Sequence, residues 1–213
     1  VGAINGAFLA ANIHDPIAGM GRLCGMWQEL ALSNVLGFTV TQAGRLHRVL
    51  LGGRRGGGVF DATPMTEIIR RGIDYRRLAT NLKDGRLKAL TVTATHLSSG
   101  RPTCFVARAP DVELPVGLPH SIVVKSTSIM PHHVLASAAI PFIFPPIFIK
   151  TDLYCDGGLR LNTPLSPAIH LGADKVLVIG LSAETPLEAG IAKGRFPGLP
   201  FLLGKVLDAF MLD

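Results

Sequence analysis

The stretch NTPLSPAIHLGADKVLVIGLS, residues 162–182, narrows the fold of this chain more than any other. Thr163 suits a helix cap, Pro164 the first helical position and Gly172 the stop. After Lys175 comes VLVIGL (176–181), an unbroken apolar run of the kind found in strands buried on both faces. A helix tightly joined to such a strand belongs to a parallel, helix-flanked sheet, so the predicted class is α/β. The 213 residues suit one such domain with a substantial core. With 48% hydrophobic and 17% charged residues, the chain is too apolar to be disordered.

The rest of the chain fits that frame. Residues 2–12 are Ala-rich and read as a first helix, residues 22–50 as irregular helix, and LGGRRGGG (51–58) as a surface loop. That loop is no phosphate-binding P-loop, because no Gly-Lys-Ser/Thr comes after it. FDATPMTEIIRRG offers Thr63 as cap, Pro64 at the first helical position and Gly72 as stop. Leu87–Leu97 and Arg101–Arg108 read as hairpin strands around a Ser-Ser-Gly turn, and SIVVKST as another strand. IFIKTDLYCDGG reads as strand, turn and a second strand ending at Asp156. In the tail, FLLGKVLDAFML places Leu203, Val206, Leu207, Phe210 and Met211 on one helical face, predicted to pack on the core.

The net charge of +6 leaves an anionic partner open, but the basic residues form no single stripe and no aromatic residues alternate with them. No nucleic-acid platform is therefore expected. Cys24, Cys104 and Cys155 are odd in number and widely spaced, against both a disulfide framework and a zinc site. VLASAAIPFIFPPIFI (134–149) is interrupted by Pro141, Pro145 and Pro146 and is too short to span a membrane comfortably. A cytoplasmic or membrane-peripheral location is the expectation.

Most candidates for chemistry fall away. The adjacent His132 and His133 point in different directions on a helix, so they make a poor metal pair and read as a partly exposed helix start. His14, His47, His96, His120 and His170 have no motif around them. GLSAE (180–184) comes after a strand-like run, but Glu184 stands where a Gly-x-Ser-x-Gly elbow needs its last glycine, which argues against Ser182 as a nucleophile. Asp156 differs, because it ends a strand where open α/β sheets place functional groups, and Gly157 and Gly158 permit unusual backbone angles and close approach. By its residues alone this Asp-Gly-Gly is a turn-former, a base or a metal ligand.

LYCDGGLRLNTPLSPAIHLGADKVLVIGLS resembles the Asp-Gly-Gly/Ala segment of patatin-like phospholipases, and ASAAIPFIFPPI (136–147) resembles that family's proline-rich segment. VFDATPMTEII and LTVTATHLSSGRP are similar to the family at the expected order and spacing. VGAINGAFLA (1–10) resembles the residues just after the nucleophile in Gly-x-Ser-x-Gly-Ala-x-Asn-Gly-Ala. The resemblance implies a three-layer α/β/α fold with a mainly parallel sheet, and a serine acyl hydrolase with a Ser-Asp dyad and no histidine. In that reading Asp156 is the proton acceptor, and Asp156, Gly157 and Gly158 form the family's Asp-Gly-Ala/Gly motif. Val1 and Gly2 are the remnant of the elbow, with the serine expected immediately before Val1. Gly2 would let the helix start against the strand, while Ala3, Gly6 and Ala7 let it pack closely.

The expectation is thus a single acyl-hydrolase domain over 1–213, incomplete at the N-terminus, where the first strand would lie, and at the C-terminus. Its substrate would be a lipid acyl ester of phospholipid, lysophospholipid or acylglycerol type. Peripheral contact with an anionic membrane surface is expected, with no cofactor and no metal. Lacking the serine, the chain by itself is expected not to hydrolyse esters. The alternative is a non-catalytic patatin-like regulator or interaction module. No feature selects an oligomeric state.

Overall fold

A computed structural model of the protein describes residues 1–29, 63–141, 143–161 and 163–180. The readings of the Gly-rich loop 51–58, of the helix beyond residue 29, of Ser182 and of the C-terminal amphipathic helix lie outside the described residues.

Two helices open the described chain, α1 (Gly2–Ala11) and α2 (Pro16–Glu29). The first falls where Ala-rich sequence predicts it. The second starts six residues before the expected 22, because Asp15 caps it: its Oδ1 accepts the Ala18 N–H at 3.1 Å, and Pro16 opens the helix. Next come α3 (Thr63–Gly72) and α4 (Tyr75–Lys83), the latter capped by Asp74, which accepts the Arg77 N–H at 3.0 Å. Asn81 on α4 is buried and donates to the carbonyls of Ala10 and Ala11 at 2.9 and 3.2 Å, closing off the C-terminal end of α1.

The described sheet holds five strands: β1 (Ala89–His96), β2 (Pro102–Arg108), β3 (Val123–Ser126), β4 (Ile147–Ile149) and β5 (Asp152–Asp156), in the order β3-β2-β1-β5-β4. β2 and β3 pair in parallel, and the other three described pairs are antiparallel. The reason is connection length. Tight turns at Gly100, in the left-handed region at φ 64°, and around Lys150 join hairpin partners, whereas residues 109–122 are long enough to return the chain for a parallel pair. Consequently β2, β3 and β5 run one way and β1 and β4 the other. The class is α/β as expected, and the described part of the sheet is mixed.

Val92–Thr95 of β1 and Thr103–Ala107 of β2 are buried at consecutive positions, so both faces of the central strands are covered. On one face Val92, Ala94 and Phe105 join Phe8, Ile69, Leu78, Val134 and Tyr154 in the core. Helix α5 (Pro131–Ser137) packs against β1, β4, β5 and α1.

Two expectations need correction. Pro164 is the cap, not the first helical residue, and α6 runs Leu165–His170. Its end is as predicted: Gly172 adopts φ 88°, its N–H reaches the Ile169 carbonyl at 3.0 Å and the Ala173 N–H reaches Ala168 at 3.2 Å, a Schellman closure. The run Val176–Gly180 is not a buried strand. It lies in no strand, and Leu177 and Ile179 are 87% and 79% exposed. A strand exists only where a neighbour takes up its backbone hydrogen bonds, and no described strand pairs with this run. The apolar sequence encodes burial, but the partner decides whether burial is realised.

Candidate active site

Asp156 ends β5 beside the C-terminal half of β1, in register with Ala94. Three backbone-directed bonds fix it. Its N–H donates to the Ala139 carbonyl at 2.9 Å, its carbonyl accepts from Thr95 Oγ1 at 2.9 Å, and its Oδ1 accepts the Gly158 N–H at 2.6 Å. The last bond starts a short 3-10 turn over Gly157–Leu159. Asp156 is only 9% exposed. Burial pushes its carboxyl up from the usual range, while the Gly158 N–H and the Val1 amino group partly offset that rise.

Gly157 is a steric requirement. A Cβ there would lie 2.7 Å from the carbonyl carbon of Thr93 and from its Oγ1, and closer still to its carbonyl oxygen. The glycine lets the turn after Asp156 lie directly on the β1 backbone, which is the close approach expected of the Asp-Gly-Gly motif.

The chain's first residues come close enough to this place to act on it electrostatically. Val1 caps α1, its carbonyl accepting the N–H groups of Ile4 and Asn5 at 3.0 and 3.1 Å. The residue as a whole is exposed, yet burial at its amino end holds that amine below its usual range and the Asp156 carboxylate raises it in return. The structure thus brings Val1 and Asp156, 155 positions apart, into one electrostatic site at the N-terminal, positive end of α1. Gly6 packs in ordinary contact with Leu90, 3.8 Å from where its Cβ would be, and Ala7 is fully buried. No described atom outside its immediate neighbours lies within 4 Å of where a Gly2 Cβ would be.

The histidines stand differently from expectation. His132 and His133 do not diverge, since their ring centroids are 4.1 Å apart. His133 folds back over the first turn of α5, where Nδ1 accepts the Met130 N–H at 3.1 Å and leaves the proton on Nε2. That fold-back buries His133 to 4% exposure and rests its ring against Phe105, centroids 4.7 Å apart. Burial, with His132 alongside, lowers its pKa to about 4, so the ring is neutral at ordinary pH. Phe105 in turn packs edge-on to Tyr154, two residues before Asp156, whose hydroxyl accepts from Lys125 Nζ at 2.7 Å. Among the described residues no histidine bonds Asp156, and no group of three metal-binding side chains is assembled.

Sequence reading missed Thr93, Thr95 and Ala139, which hold Asp156 and Gly157 in place. The alternation LTVTAT carried a signal for the two threonines, placing Thr91, Thr93 and Thr95 on one face of β1. Ala139 acts through a backbone carbonyl, for which side-chain chemistry gives no sign.

No described helix is long and apolar enough to cross a membrane. No curated protein and no solved structure gives a match to the chain. The model of one family, described as Patatin-like phospholipase, does match, over residues 1–169. That range takes in α1 and the whole Asp-Gly-Gly turn together with the sheet between them, and so the chain belongs to the patatin-like phospholipase family.

Proposed function

We propose that this chain supplies the base and the elbow helix of a Ser-Asp lipid acyl hydrolase, with Asp156 as the base and the serine in the position immediately before Val1. The observation that carries this reading is the electrostatic coupling of the Val1 amino end to the buried Asp156 carboxylate, which the Gly158 N–H holds at the end of β5. A serine bonded to that nitrogen would stand at the mouth of the same site.

The chemistry is set by the surroundings. With a peptide bond in place of the ammonium, Asp156 loses a neighbouring positive charge that holds its pKa down, and burial then favours the protonated form more strongly. Such a carboxylate is a better proton acceptor than an exposed one. It takes the proton from the serine hydroxyl as the oxygen attacks the ester carbonyl, then passes it to the departing alkoxide. Water completes the cycle by the same route in reverse. The free N–H groups in the first turn of α1 face the region where negative charge develops, and the helix dipole adds to their effect. Family membership supports lipid esters as the substrate class. Among these we favour phospholipid, lysophospholipid or acylglycerol acyl esters, with the protein docking peripherally on an anionic membrane surface. The 213-residue chain alone is expected to turn over no ester.

The test is covalent labelling. The full reading frame that contains this chain is expected to react with a serine-directed fluorophosphonate, and Asp156→Asn is expected to suppress the reaction. A residue other than serine encoded before Val1, or no labelling of a frame that encodes Gly-x-Ser there, would count against the dyad and favour a non-catalytic member of the family.

A further inference from the structure

A cleft of about 560 Å³ lies between α4 and the C-terminal ends of β2 and β3, well away from Asp156. Asp156 is level with Ala94 on β1, whereas Arg108 on the cleft wall is level with Ala89. Five residues of strand separate the two levels, roughly 17 Å at ~3.4 Å per residue. The volume falls within the ordinary range for a small-molecule site.

Its lining has a definite chemistry. Leu78, Leu82 and Ile129 give an apolar wall, while Lys83 and Arg108 bring two cations. The described lining residues include no carboxylate, and neither cation forms an ion pair with a described residue. Ser126, Thr127 and Ser128 add hydroxyls. Two lining residues also carry buried polar atoms with no hydrogen-bond partner, Tyr75 Oη and Arg108 Nε. Arg108 Nη1 donates to the Val112 carbonyl, which orients the guanidinium and leaves the Nε–H unanswered. Burial raises the Tyr75 phenol well above its usual range, so it remains a donor at any ordinary pH. Buried donors without acceptors are rare in folded proteins, because nothing offsets their desolvation. Here both belong to residues that line one cation-bearing cleft, just beneath its surface.

We propose that this cleft binds an amphiphilic anion, a compact head with acceptor oxygens (carboxylate or phosphate) carried on a short hydrocarbon tail. The head faces Lys83 and Arg108, the Tyr75 hydroxyl and the Arg108 Nε–H turn toward its oxygens on binding, and the tail lies on Leu78, Leu82 and Ile129. The site stands independently of the ester-hydrolysis reading, since it shares no residue with the Asp156 turn.

Calorimetric titration of the chain with decanoate, decyl phosphate, decanol and inorganic phosphate tests this. At least one of the two amphiphilic anions is expected to bind, and the tighter one identifies the head group. Decanol and inorganic phosphate are each expected to bind at least about tenfold more weakly, for want of the charge or of the tail. Lys83→Ala, at an exposed position, is expected to weaken the anion about tenfold, as for loss of one charge-assisted bond, and to reduce the salt dependence. Tyr75→Phe is expected to weaken binding several-fold while raising the melting temperature of the free protein, because it deletes an unpaired buried hydroxyl. A purely structural tyrosine would not move those two readouts in opposite senses. Asp156→Asn is expected to leave the affinity unchanged. The proposal is overturned if no amphiphilic anion binds, if decanol or inorganic phosphate binds as tightly, or if folded Lys83→Ala and Tyr75→Phe variants bind like the parent. Loss of binding in Asp156→Asn with retention in those two variants would also overturn it, by placing the ligand at the other site.

Discussion

Replacing Gly157 by alanine perturbs the proposed site at its tightest packing. The added methyl would meet the Thr93 carbonyl carbon and Oγ1 at 2.7 Å, with the carbonyl oxygen closer still. None of these is the far end of a flexible side chain, and Thr93 is pinned in β1 between β2 and the Asp156 turn. Either the β1 backbone moves or the turn lifts away, and lifting breaks the Gly158 N–H bond to Asp156 or the Thr95 bond to its carbonyl. Overpacking costs about 1–3 kcal/mol where neighbours can adjust, and here backbone must move, so the expected loss is about 3 kcal/mol. For a chain of this size that lowers the melting temperature by roughly 6–12 °C. Gly6→Ala is the control, because its Cβ would sit in ordinary contact with Leu90 inside a helix. It is expected to gain about 0.5–1 kcal/mol from helix propensity. Thermal melts followed by circular dichroism, with urea midpoints as a second measure, compare the two. If Gly157→Ala melts within a degree or two of the parent, or if Gly6→Ala is the more damaging change, close approach is not what requires the glycine.

Other perturbations reach different parts of the molecule. Asn81→Ala removes two bonds to the last carbonyls of α1 in a buried setting and is expected to cost about 2 kcal/mol, read from the shift in urea midpoint. His133 is held neutral in the fold with a pKa of about 4, below its unfolded value, so the unfolded chain binds more protons between those two values. Stability is therefore expected to fall as pH drops from about 6.5 through 4, and His133→Phe to flatten that fall; an unchanged acid slope would place its origin elsewhere. Asp156 has the opposite sign, because its folded pKa is raised. Its ionisation costs stability as pH rises through that pKa, so Asp156→Asn is expected to melt higher than the parent at neutral pH.

Sequence reading reached the frame of the molecule where local chemistry decides structure. The hairpin about Gly100, the Gly172 stop and the strand ending at Asp156 all depend on turn residues written at fixed positions. It failed where structure depends on distant partners. The run Val176–Ile179 has the composition of a buried strand, but pairing is a property of two segments and composition belongs to one. His133 reads as a surface histidine until Phe105, from another element, closes over it. The start of α2 is a separate case, since Asp15-Pro16 is a local cap signal standing ahead of the irregular helix read from residue 22. At the site, Asp156 and Gly157 were legible from the motif, whereas the approach of Val1 was expected only through family resemblance. Thr95 and Ala139 emerged from the sheet register and from backbone bonds alone.

The central claim is that Asp156 acts as a base on a nucleophile joined to the amino end of Val1. The most direct test is hydrolysis of a medium-chain nitrophenyl ester by the full reading frame, with and without Asp156→Asn. The expected loss is about 10²–10⁴-fold in kcat/KM for the variant, the contribution typical of a positioned acid–base group, with its melting temperature preserved or raised. Turnover by a folded Asp156→Asn protein at the parent's rate would contradict it.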